Sequence, residues 1–171
     1  MHKGLLQTGG EPLGVEDASA GYQVSTANSP FVKPGYKQTE VGIIPEEWNL
    51  KALPDVLWFY SGKAHEQFIV EEGQYIVVNS KFVSTNGEVR KYSSKNFLPA
   101  RKDDILMVMS DLPNGRALAK CFLVGEDGLY AVNQRVCVLR AKKDDPEYLF
   151  YFLNRNPYFL RFDDGVQQKI R

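Results

Sequence analysis

The sequence predicts a strand-rich α+β domain: a twisted antiparallel or mixed sheet, hairpins and a C-terminal helix. Three observations carry this reading. Short runs of β-branched and aromatic residues alternate with turn signals through the middle of the chain. The Asn-Gly pair in "TNGEVRKY" is a strong short-range hairpin signal. From Asp145 onward the apolar period changes, and Leu149, Phe152 and Leu153 recur at helical spacing. A chain of 171 residues with 43% hydrophobic content can bury one core, so a single domain is expected.

Residues 1–35 stand apart as a flexible tail or linker, with six glycines, three prolines and no apolar periodicity. The domain is placed at 36–171. It opens with "GYKQTEVGIIPEEWNLKAL", where Pro45 to Trp48 reads as a turn and Trp48, Leu50 and Leu53 start a packed segment. The aromatic run "VLWFYSGKA" ends at Gly62. "GQYIVVNSKFVST" reads as one strand, and the Asn-Gly turn then joins strands at 82–85 and 88–92. "DILMVMS" and "ALAKCFLV" are expected to pair across the loop that holds "DLPNGR", and "LYAVNQRVCVLRA" reads as another strand. The helix has Asp145 as N-cap and Pro146 at its first position, and stops near Asn156-Pro157.

Several function classes recede on composition. The net charge is zero, so no global field draws the chain to a polyanion. Cys121 and Cys137 sit in apolar runs, as buried free thiols do. CxxC and HxxxH spacings are absent, so no metal site is expected. No apolar run approaches a membrane span and no signal-peptide pattern opens the chain, so a cytoplasmic protein is expected. The acidic pairs at 103, 144 and 163 are adjacent in sequence, which makes them poor acid/base dyads on a strand. Asp103-Asp104 reads as a turn before a strand.

Neutrality hides a local asymmetry. Residues 79–102 carry Lys81, Arg90, Lys91, Lys95, Arg101 and Lys102 against Glu88 alone, a local charge of +5. Asn79, Ser80, Ser93, Ser94 and Asn96 add short hydrogen-bonding side chains. Cations with short polar side chains suit a DNA backbone. The plain alternative is a solvated hairpin with ordinary surface lysines.

The blocks "GYKQTEVGIIPEEWNLKAL", "SGKAHEQ", "VVNSKFVSTNGEVRKY", "KDDILMVMSDLPNGRALAKCF", "VNQRVCVLRA" and "DPEYLFYFLNRNPYFLRFDDGVQQ" together resemble a target recognition domain of a type I restriction-modification specificity subunit. The resemblance covers residues 36–171, with the blocks in family order. It implies a non-catalytic module that reads one half of a split site on double-stranded DNA. It also implies a methyltransferase subunit as partner, with an endonuclease subunit reached through the complex. No cofactor is implied for this chain, since S-adenosylmethionine would belong to the methyltransferase. The sequence departs from the family pattern by stopping before any spacer helix.

On this reading Lys63, Lys81, Arg90, Lys91 and Lys95 are the expected phosphate contacts. Ser110, Asn114, Arg116 and Gln134 are the candidates for base edges, since arginine matches guanine and asparagine matches adenine. The alternative for "DLPNGR" is a plain turn, with Arg116 solvated or paired with Asp111. Gln134 and Arg135 interrupt an apolar strand, where a polar pair can also cap an edge or fill a buried hydrogen-bond network. Gln167, Gln168 and Lys169 follow a glycine turn at the chain end. The aromatic residues of 148–162 are read as core or as a partner-facing surface. Two other functions stay open: a methyltransferase-docking domain with little DNA binding alone, and a metal-dependent nuclease built on "DDILMVMSDLPNGRALAK".

Overall fold

A computed structural model describes residues 32–111 and 115–161. The described residues fall into two units that separate after Asn49. In the first, β1 (Tyr36–Thr39) and β2 (Gly42–Pro45) form an antiparallel hairpin whose register runs from Tyr36↔Pro45 to Thr39↔Gly42. Its turn is closed by the Thr39 hydroxyl, which donates to the Gly42 carbonyl at 2.6 Å. The expected turn after Pro45 is present, with the Trp48 N–H donating to the Pro45 carbonyl. The packed segment expected to start at Trp48, Leu50 and Leu53 is not: all three side chains are exposed, Trp48 by 59%.

The second unit has two four-stranded sheets. The first has the order β3-β10-β7-β8 and is antiparallel throughout: β3 (Leu57–Ser61), β10 (Val136–Ala141), β7 (Ile105–Val108) and β8 (Cys121–Leu123). The second has the order β4-β6-β5-β9 and is mixed, with β5 (Tyr75–Val78) parallel to β9 (Tyr130–Val132). Its other members, β4 (Ile69–Val70) and β6 (Tyr92–Ser93), are two residues long. The α+β, strand-rich fold class is as expected.

Side-chain alternation explains the layering. Ile105, Met107, Cys137 and Leu139 face a core shared with Leu149, Leu153 and Phe159 of the helices. Their neighbours Leu106, Val108, Val136 and Val138 face the second core, with Ile76, Val78, Phe82 and Val132. The central strands β7 and β10 are therefore buried on both faces, while the edge strand β3 leaves Trp58, Phe59 and Tyr60 exposed. This is why "ILMV" reads as a continuous apolar run where a half-exposed strand would alternate.

Two strand assignments fail, each for a local reason. "NSKFVS" is helical: α2 spans Ser80–Ser84, and the Asn79 side chain caps it by accepting from the Phe82 N–H at 2.9 Å. The Asn-Gly pair ends this helix and forms no hairpin. Asn86 and Gly87 take φ of 51° and 83°, the Gly87 N–H donates to the Phe82 carbonyl, and the Asn86 N–H donates to that of Val83. This is the Schellman arrangement, which wants the same left-handed residues that a tight hairpin turn does. "LYAVNQRVCVLRA" is two strands, β9 and β10, which belong to different sheets and are separated by a turn at Gln134-Arg135.

The helical segment follows expectation. α3 (Pro146–Leu153) starts with the Asp145 carboxylate accepting from the Tyr148 N–H at 2.7 Å, and buries Leu149 and Leu153. α4 (Pro157–Leu160) follows, capped by Asn156. A short α1 (Leu53–Val56) precedes β3. Asp103-Asp104 is a turn, as expected, but Asp104 also carries a buried ion pair. Both of its oxygens accept from Arg140, Nε and Nη2 each at 2.7 Å, and Oδ2 also takes the Arg101 N–H. Cys121 and Cys137 are buried and free, and burial raises both thiols above their ordinary value of 9.0, Cys137 to about 12.

Candidate nucleic-acid interface

Strand register gathers several chain segments along one rim of the second unit. Cys137 pairs with Ser61 and Val136 with Val108, so β3 and β7 end where β10 begins. β5 and β9 run parallel through Val78↔Val132 and end together. Backbone bonds join the two sets of ends: Gly62 N–H to the Val136 carbonyl, Lys63 N–H to that of Val132, and Asn133 N–H to that of Val78. The loop leaving β3, the cap of α2, the loop leaving β7 and the Asn133-Gln134-Arg135 turn therefore share this rim.

The contact at Gly62 is too close for a side chain. A Cβ there would stand 2.0 Å from the Asn133 carbonyl oxygen, against backbone that has nowhere to move. Next to it His65 is fully buried. Its Nδ1 lies 2.6 Å from the Lys63 carbonyl and its Nε2 faces the Phe97 N–H at 3.3 Å. A carbonyl only accepts and an amide N–H only donates, so the proton sits on Nδ1 and the ring is neutral. The histidine thus closes the 62–68 loop onto residues 96–100 and works as a structural bridge.

Glu66 opens a short 3₁₀ turn over Glu66–Phe68 and binds both rim amides. Its Oε1 accepts from Asn133 Nδ2 at 3.3 Å and from Gln134 Nε2 at 3.2 Å. Its carboxyl is held below the ordinary carboxylate range. Its own backbone N–H is the largest cause; burial opposes it, and Asn133, the His65 N–H and Gln134 add smaller lowering contributions.

Lys63, Lys81, Arg90, Lys91 and Lys95 are all exposed. The two ion pairs among the described residues, Lys51–Asp144 and Arg140–Asp104, use none of them. Lys63 and Lys81 lie on the rim itself. Lys91 follows Arg90 into β6, where its carbonyl accepts from the Val77 N–H, so both basic residues stand at the same end of the second sheet. Arg90 Nε donates to the Gly87 carbonyl at 2.9 Å. Lys95 lies past the other end of β6, with its ammonium 4.6 Å from the Phe68 ring centre, which ties it to the 62–68 loop.

Of the base-edge candidates, Ser110 is half-buried at the end of β7 and Gln134 is exposed beside Glu66. Asn114, Gln167, Gln168 and Lys169 lie outside the described residues. The ends of the β7–β8 connection are fixed. The Asp111 carboxylate accepts from the Ala117 N–H at 2.7 Å and its carbonyl accepts from the Gly115 N–H at 2.7 Å. From α3's exit, Arg155 Nη1 donates to the carbonyls of Arg116 and Leu118, at 3.2 and 3.0 Å. Asp111 is therefore a brace for the loop and makes no described ion pair with Arg116. The Arg116 side chain is exposed, and among the described residues its guanidinium has no partner.

Sequence reasoning missed Glu66, Asn133 and the loop brace Arg155. The polar break "NQR" in an apolar run was the available signal for the hydrogen-bond network, and Glu66 completes it from 67 residues away. The acidic stretch weighed as a nuclease motif does not assemble among the described residues. Asp104 is committed to Arg140, Asp111 to backbone N–H groups, and Lys120 donates to the Ser84 carbonyl. No group of three or more metal-ligating side chains occurs among the described residues.

No protein-family model and no curated protein matches the chain. Solved structures do. A chain from a structure of the type I restriction-modification system, concerned with its assembly and conformational transition, is 17% identical with a TM-score of 0.56, over 75% of this chain and 32% of its own. The HsdS subunit from Thermoanaerobacter tengcongensis is 16% identical with a TM-score of 0.54, over 80% of this chain and 35% of its own. The chain shares the fold of a type I restriction-modification S subunit. It spans about a third of the length of the solved chains it matches. The resemblance carried by the sequence blocks thus recurs in the fold.

Proposed function

We propose that this chain is a target recognition domain of a type I specificity subunit. It reads one half of a split site on duplex DNA for a methyltransferase subunit in the cytoplasm, with an endonuclease subunit reached through the same complex. It performs no chemistry of its own. The observation that carries this reading is the rim, where exposed, unpaired cations flank a set of amides and hydroxyls held on a rigid frame. Lys63, Lys81, Arg90 and Lys91 suit phosphates, and Ser110, Arg116 and Gln134 suit base edges. A rigid sheet edge that carries functional groups on short loops is a common way to build recognition. Among the described residues no helix is long and apolar enough to cross a membrane.

The test is fluorescence anisotropy of a labelled duplex against the full chain over a salt series, with and without a methyltransferase subunit. Weak binding that falls steeply with salt supports the reading, because one half-site offers only a few phosphate contacts. Binding that ignores salt refutes it. A second reading rests on α3, whose Tyr148, Tyr151 and Phe152 are exposed by 62%, 68% and 52%. That aromatic face suits a protein partner. DNA binding seen only with the methyltransferase present favours this docking role.

A further inference from the structure

The hydrogen bonds around Glu66 fix which way two amides point. A carboxylate can only accept, so Asn133 and Gln134 must both turn their NH₂ groups toward it. Asn133 is held further by its backbone, between Val78 and Val136. Gln134 is exposed, and without Glu66 its amide would flip freely. With Glu66 ionised, the Gln134 carbonyl oxygen is directed away from the carboxylate, and the carboxylate places a negative charge beside it. The rim here is an acceptor surface set among cations.

We infer that Glu66, through Gln134, makes this part of the rim select a base with an exocyclic amine in the major groove, adenine or cytosine, over guanine or thymine. The inference rests on the DNA reading proposed above. Adenine N6 and cytosine N4 are donors, and glutamine and glutamate are their matched partners. Guanine O6 and thymine O4 are acceptors and would face a carboxylate. The same charge repels phosphate oxygens, so Glu66 weakens indiscriminate binding while it favours one edge pattern. Selectivity of this kind needs a repulsive element as well as an attractive one. Holding Gln134 before DNA arrives also lowers the entropy lost when it docks.

The test sequences the bound fraction of a random duplex pool taken up by the full chain at one low salt concentration. The wild-type chain is expected to enrich adenine or cytosine over guanine or thymine at one position, by about fivefold. Glu66→Gln should abolish that preference while raising overall uptake of the pool, since a negative charge leaves the rim. Gln134→Ala should lose the same preference without the rise. Glu66 is exposed and both variants should melt with the wild type. An unchanged preference in Glu66→Gln overturns the inference. So does a wild-type chain that binds in a salt-dependent way with no preferred position, and in that case the DNA reading still stands. Absence of binding at every salt concentration overturns both.

Discussion

Removing Lys91, at the rim, together with Lys95, beyond the other end of β6 but tied to the 62–68 loop, tests the expected phosphate contacts. Both are exposed and neither is in a described ion pair, so their charge is available to a partner. If five cations meet phosphates, the slope of log K against log salt is about −4.5, at about 0.9 per contact. Raising salt from about 50 to about 200 mM would then weaken binding about 500-fold. Lys91→Ala with Lys95→Ala lowers the slope to about −2.7, and the same salt change costs about 40-fold. The loss should be alike on all duplex sequences, since phosphates carry no sequence information. Stability should barely move. The Lys91 carbonyl that pairs with Val77 remains, and the Lys95 contact with Phe68 is worth roughly 0.5–1 kcal/mol at an exposed site. Anisotropy titrations at several salt concentrations, beside a thermal melt, measure both quantities. An unchanged slope would refute these two lysines as phosphate contacts. A large drop in melting temperature would show that the two lysines are structural.

Three further outcomes follow from the geometry. Arg116→Ala in the assembled complex should cost about 1–3 kcal/mol on the cognate duplex and much less on a shuffled one, while Arg116→Lys should recover only part of the discrimination because it lacks the planar fork; equal losses in parallel titrations would make Arg116 a phosphate contact. Arg140→Ala leaves Asp104 charged in the core and should cost about 3 kcal/mol, a melting shift of roughly 6–12 °C, whereas Arg140→Met with Asp104→Leu should restore most of it, as read by thermal unfolding. Cys121 and Cys137 should resist thiol reagents in the folded chain and react on unfolding; because their folded pKa values are raised, they leave stability level below pH about 9 and lower it as pH climbs toward about 12, when only the unfolded thiols ionise.

The parts of the fold legible in the sequence are those whose signal is local. Asp145-Pro146 specifies a cap and first turn by itself, and "DILMV" opposite "AKCFLV" specifies a pair of buried strands. The failures lie where one local signal serves two structures. Asn86-Gly87 supplies positive φ, which a hairpin turn and a helix exit both need, and Asn79 with its helix cap decides between them. The apolar residues around "NQR" suit one strand or two, and the division follows from sheet pairing far away in sequence. The exposed lysines of the candidate site were legible because charge runs are visible in a list of residues. Glu66, Arg155 and the Asp104–Arg140 pair were not, since each acts on a partner 36 to 68 positions distant.

The zero net charge of the chain is compatible with a strongly polarised rim because of where the acids are used. Asp104 is held by Arg140 and the Arg101 N–H. Asp111 braces the β7–β8 loop, Asp127 accepts from the Lys102 N–H, Asp145 caps α3, and Asp144 pairs with Lys51. These carboxylates do structural work against backbone donors or cations. Lys63, Lys81, Arg90, Lys91 and Lys95 keep their charge unpaired in the described structure. At a Debye length of about 8 Å in physiological salt, an approaching polyanion responds to the charges nearest it and scarcely to the sum over the molecule. Glu66 is an exposed acid at the rim that is tied to side-chain amides. It is tied to amides and not to a cation, so its charge is preserved there as fully as those of the lysines around it. A neutral chain can in this way attract a phosphate backbone along one edge and still discriminate at the point where the edge turns negative.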